Sequence, residues 1–99
     1  MNITAQEAKE IMDAEEGYII LDVRTQAEYD EKHIPGAILI PDYEIKERAE
    51  EELTDKDQLI LVYCRSGRRS KLAAEALVEL GYTNIKEFGG IIDWPYETE

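Results

Sequence analysis

The chain has 99 residues, one cysteine, and 23 acids against 11 bases, for a formal net charge of −12. That length suits a single domain over 1–99 with one modest core, and an apolar content of 43% excludes a disordered chain. The acidic balance argues against nucleic acid or an anionic membrane as partner, and no apolar run reaches spanning length. The first residues do not read as a signal peptide, and a lone cysteine cannot form an internal disulfide, so a reducing, cytoplasmic setting is expected.

Thr4 and Glu7 form a capping-box pattern, opening a helix in which Ala5, Ala8, Ile11 and Met12 share a face before Gly17 ends it. "YIILDV" (18–23) is continuously apolar and β-branched, as in a strand buried on both faces. Thr25 and Glu28 repeat the box ahead of a short helix. Pro35-Gly36 marks a turn before a short strand over 37–40, and Pro41 and Asp42 stop it and start an acidic helix over 43–53. "QLILVY" (58–63) is a second apolar strand, ending at Cys64. "RSGRR" reads as a turn. A helix then starts near Arg69 or Ser70, with Leu72, Ala73, Ala76, Leu77 and Leu80 inward and Gly81 as terminator. "NIKEF" is a further strand, and "GGIIDWPYE" turns to finish the chain. Alternating strands and helices specify an α/β fold with a mostly parallel sheet covered on both faces.

The charge is uneven. Residues 64–71 carry Arg65, Arg68, Arg69 and Lys71, and no acid occurs over 58–74. A charge run is ordinarily a solvated helix face, and a lone cysteine at a strand end is ordinarily a small buried hydrophobe. A cationic loop entering a helix behind a thiol suits a small anion better. At the carboxyl end of a parallel sheet, the loop N–H groups and the helix start can form an anion nest. Such a site holds a cysteine as thiolate. Gly67 permits close backbone approach, the three arginines supply forked donors, and Ser66 or Ser70 can cap the loop or donate to the ligand.

Other residues carry weaker signals. Asp22 and Arg24 end their strand at the same edge, where they either support the loop or cap the next helix. Glu28 reads as the partner of Thr25, His33 as structural, and Trp94 and the tyrosines as core and rim.

"CRSGRRS" (64–70) resembles the active-site loop of the rhodanese-like sulfurtransferases. "LDVRTQAEYDEKHIPGAILIP" (21–41) resembles the family's Asp-Val-Arg, Glu-aromatic and His-Ile-Pro-Gly-Ala pattern, and "FGGIIDW" (88–94) its closing Gly-Gly and Trp. The resemblance implies a rhodanese-like α/β fold with a five-stranded, mostly parallel sheet and helices on both faces. Ile3 would lie in a very short first strand.

It further implies a persulfide on Cys64 as nucleophile, formed from thiosulfate with loss of sulfite and passed to cyanide, a thiol or a protein acceptor. Neither metal nor organic cofactor is needed. Arg65, Ser66, Gly67, Arg68, Arg69 and Ser70 would bind the donor, with Arg69 outweighing Arg68. Related phosphatases carry a loop one residue longer, whose arginine position is Ser70 here, and mercaptopyruvate-using members have a less basic loop. Two other readings share the motif: a sulfur-relay module acting with a protein partner, and a non-catalytic binding domain. The presence of Cys64 counts against the latter.

Overall fold

In the computed structural model, which describes residues 2–99, both Thr-x-x-Glu signatures are closed capping boxes. The Glu7 N–H donates to Thr4 Oγ1 and the Thr4 N–H to Glu7 Oε1, opening α1 (Ala5–Ala14). Thr25 and Glu28 repeat the arrangement at α2 (Gln26–Glu31). Each box satisfies N–H groups that a helix start leaves unpaired, a stabilisation of about 1 kcal/mol per cap.

The strands are β1 (Ile19–Asp22), β2 (Ile38–Leu39), β3 (Ile60–Cys64) and β4 (Ile85–Gly90), all parallel in the order β2-β1-β3-β4. The expected fifth strand is reduced to one bridge between Asn2 and Glu87, with the Ile3 N–H donating to the Glu87 carbonyl at 2.8 Å. Thr4 already caps α1, so no length remains there for a ladder. The acidic segment after Pro41 is a 3-10 turn (Asp42–Glu44) running into α3 (Ile45–Glu52). The last helix, α4 (Arg68–Glu79), starts directly from the cationic loop, and a second 3-10 turn (Ile91–Asp93) follows β4.

Alternation along the strands divides the core into two layers. Leu21, Val23, Ile60 and Val62 meet Ala49 and Leu53 of the α3 side and Ala73, Ala74 and Leu77 of α4. Ile20, Leu61 and Tyr63 face the opposite way, onto Ala8, Ile34, Phe88, Ile91 and Trp94. All five residues of β3 are buried, which accounts for its unbroken apolar run.

The inward face of α4 matches the predicted one at Ala73 and Leu77, which are buried, and at Ala76 and Leu80, which pack against the core; it differs at Leu72. Leu72 is exposed, while Ser70, Ala73, Ala74 and Leu77 are buried at i, i+3, i+4, i+7 spacing. The helix starts at Arg68, and the loop seats Ser70 against the strand ends.

Candidate active site

Cys64 is the last residue of β3, buried at 1% exposure, where the pairing with β4 shifts register between Val62 and Cys64. Such irregularities re-aim a side chain beside a site. The loop then bends back over the sulfur. Gly67, at φ +104°, turns the chain so that its own N–H donates to Cys64 Sγ at 3.0 Å. The bend also needs Gly90, where a Cβ would overlap the backbone of Arg65 and Ser66. Burial pushes the Cys64 thiol up, but the Ser70 hydroxyl and the N–H groups of Ser70, Gly67 and Ser66 outweigh it and leave the thiol below its ordinary value.

The cationic island is less bare in space than in sequence. Arg69 donates from Nη1 to Glu28 Oε1 at 2.7 Å and from Nη2 to Glu28 Oε2 at 2.9 Å, a forked ion pair between the start of α4 and α2. Arg69, expected as a donor-binding group, is engaged by a carboxylate. Glu28 does more than cap α2: Arg69 above all holds its carboxyl down at about 2. Arg65 and Arg68 are exposed, and among the described residues their guanidinium groups make no ion pair.

Ser70 is fully buried beneath the loop. Its Oγ lies 3.5 Å from Cys64 Sγ, 3.0 Å from Glu87 Oε2, 3.0 Å from the Gly67 carbonyl and 3.3 Å from the Gly89 carbonyl. Glu87, on β4 and 4% exposed, also accepts the Gly89 N–H at 2.5 Å. Sequence reasoning missed both glutamates as parts of this site. Glu28 was legible as a helix cap, and Glu87 carried no signal within its own strand.

Asp22 and Arg24 do not cap the next helix. Both are buried and paired with each other: Arg24 Nε donates to Asp22 Oδ1 at 3.0 Å and Nη2 to Oδ2 at 2.7 Å. Thr25, not Asp22, caps α2. Asp22 Oδ2 also accepts from the Tyr63 hydroxyl at 2.6 Å, which in turn accepts the Ile34 N–H at 3.1 Å. Burial and Asp22 raise the Tyr63 phenol well above its ordinary value. This network fixes the carboxyl ends of β1 and β3. Arg24 reaches the loop only as part of the wall of a cavity of about 210 Å³ that it shares with Glu28, Arg65 and Ile92.

His33 is held structurally, with its ring stacked 3.8 Å from Tyr29 and Nδ1 2.9 Å from the Tyr29 carbonyl. Trp94 packs in the core and donates from Nε1 to the Glu97 carbonyl.

This fold and loop can be compared with known proteins. The sequence profile of the Rhodanese-like domain matches residues 4–95. Thiosulfate sulfurtransferase PspE of Escherichia coli (strain K12) is 44% identical over 73 residues, which cover 74% of this chain and 70% of that protein. The solution structure of the Rhodanese-like domain from Anabaena sp Alr3790 superposes with a TM-score of 0.91 at 29% identity, over 99% of this chain and 77% of that one. A structure described as rhodanese with anions from E. coli gives 0.77 at 39% identity, over 83% and 96%. The parallel sheet, the loop at its carboxyl end and these matches lead to one assignment: the chain belongs to the family of Rhodanese-like domains.

Proposed function

We propose that this protein is a sulfurtransferase that carries sulfane sulfur as a persulfide on Cys64. The observation that carries the reading is the convergence of the loop N–H groups and the Ser70 hydroxyl on one buried thiol. The Cys64 thiolate attacks the outer sulfur of thiosulfate. A new S–S bond forms to Cys64 as the old one breaks, and its electron pair leaves with sulfite. The nest stabilises the terminal sulfur as an anion. An acceptor such as cyanide or a thiol then attacks that sulfur, and Cys64 leaves as thiolate.

The exposed, unpaired Arg65 and Arg68 attract the anionic donor, and Ser66, Gly67 and Ser70 shape the cradle. The six-residue loop from Cys64 to Arg69 is one residue short of a phosphatase loop, which favours sulfur over phosphate ester chemistry. PspE, named as a thiosulfate sulfurtransferase, supports thiosulfate as donor. We assign the activity to one domain over 1–99, working in a reducing, cytosolic compartment without a cofactor.

A protein acceptor is the second reading. Leu72 and Ile92 are 55% and 59% exposed and line depressions on either side of the loop, where a partner surface would gain apolar contact. The deciding experiment is intact mass after incubation with thiosulfate. One adduct of about 32 Da, a single sulfur atom, is expected on the wild type and none on Cys64→Ser. An unmodified wild type would overturn the proposal. Turnover with small thiols no better than the uncatalysed rate, alongside a normal adduct, would favour a protein acceptor.

A further inference from the structure

Glu87 is buried, has no part in the persulfide steps above, and faces the Ser70 hydroxyl that contacts Cys64. A hydroxyl has one proton to donate. Around Ser70 Oγ stand the sulfur, the Glu87 carboxylate and the carbonyls of Gly67 and Gly89. A carboxylate is the strongest acceptor among the three oxygens. With the Ser70 proton on Glu87, Ser70 turns a lone pair to Cys64 and accepts from its S–H. For Ser70 to stabilise a thiolate, that proton must swing from Glu87 to the sulfur. The thiolate therefore competes with Glu87 for one hydrogen, and the thiol does not.

We infer that Glu87 is a positioning residue which, through the Ser70 hydroxyl, keeps the Cys64 thiolate more basic than the loop alone would leave it, and so more nucleophilic toward the sulfur donor. The inference rests on Cys64 being the sulfur-carrying nucleophile. The chemistry sets a trade-off. Nucleophilicity rises with thiol basicity, with a Brønsted slope of about 0.4–0.5, whereas a less basic thiolate leaves faster. Glu87 favours loading of the cysteine, at some cost to its unloading. Other groups face the same place. Arg69 is the charged group of α4 that senses Cys64, and Lys71, Glu75 and Asn2 line the groove that Glu87 borders. None of these has a hydrogen bond to Ser70 Oγ.

The test titrates Cys64 by the pH dependence of iodoacetamide alkylation, which needs no sulfur donor. Glu87→Gln should lower the apparent thiol pKa by about one pH unit, the size expected for loss of one nearby charge and its hydrogen bond. At a pH where both thiols are ionised, Glu87→Gln should load from thiosulfate about threefold more slowly, and the loaded form should react faster with cyanide. On a Ser70→Ala background, Glu87→Gln should leave the pKa unmoved. Glu87→Asp, which keeps the charge but shortens its reach, should lower the pKa and serves if Glu87→Gln does not fold. An unchanged or raised pKa in a folded variant overturns the inference. So does an equal fall on the Ser70→Ala background, which would mark a direct field effect. A wild type that forms no sulfur adduct, together with the predicted pKa changes, would instead overturn the sulfurtransferase reading and leave the Ser70 coupling standing.

Discussion

Arg69 and Glu28, separated by 41 positions in sequence, meet fork to fork at 2.7 and 2.9 Å. The pair ties the entrance of α4 to the first turn of α2. Arg69 depresses the Glu28 carboxyl from 4.5 to about 2, so the folded state binds that proton more weakly than the unfolded state. The stabilisation is therefore complete above the unfolded value and is lost as pH falls through the folded one. Both side chains are partly exposed, so solvent screening holds the gain to roughly 1 kcal/mol. The melting temperature of Glu28→Gln should lie below that of the wild type by a constant margin above about pH 5, narrowing toward pH 2. Parallel curves down to acid would show that the pair contributes nothing to folding.

The same pairing reorders the arginines. Arg65→Ala and Arg68→Ala each remove an exposed, unpaired charge near the donor path. They should raise the KM for thiosulfate by severalfold at low salt, with little effect at high salt. Arg69→Ala should act mainly on the loop, lowering melting temperature and slowing persulfide formation together. Steady-state kinetics at two ionic strengths distinguish the two patterns.

The sequence announced its elements wherever local chemistry decided them. The two capping boxes, the apolar β3 and the turn at Ser66-Gly67 all depend on neighbours a few positions away. What it concealed depends on distance along the chain. Glu28 finds Arg69 across 41 positions and Glu87 finds Ser70 across 17, so neither role leaves a local pattern. One position of α4 was hidden for a related reason. Leu72 is the more apolar choice by residue type, but the seat of Ser70 under the loop puts Ala74 inward instead. The expected strand at Ile3 was drawn from family likeness, and the cap at Thr4 cut it to a bridge.

Arg24 is 4% exposed and Asp22 fully buried, so truncating one strands the other's charge. Asp22→Ala should destabilise the fold by about 3–5 kcal/mol. Tyr63→Phe removes only the hydroxyl between Asp22 and the Ile34 N–H, and should cost about 1–3 kcal/mol. Urea denaturation of both variants checks the ranking, which would fail if Tyr63→Phe proved the worse.

Gly90 has no room for a methyl group against Arg65 and Ser66. Gly90→Ala should cost about 1–3 kcal/mol by displacing the loop backbone. Because that backbone carries the N–H groups aimed at Cys64, the thiol should also lose much of its thiolate character, visible as a rise in the pH midpoint of alkylation. A variant with a shifted melt and an unmoved midpoint would show that the loop absorbs the methyl elsewhere.

β2 (Ile38–Leu39) is the strand at one end of the parallel sheet. An open edge of a parallel sheet is a template on which a second copy can build a strand. At a net charge of −12, two such molecules repel before their backbones can align. That repulsion weakens once dissolved salt shortens its range to about 8 Å, near physiological ionic strength. Colloidal behaviour should then follow charge rather than folding stability. The native protein should stay dispersed in dilute buffer and begin to self-associate near its isoelectric point of about 4.4, while its helices remain intact.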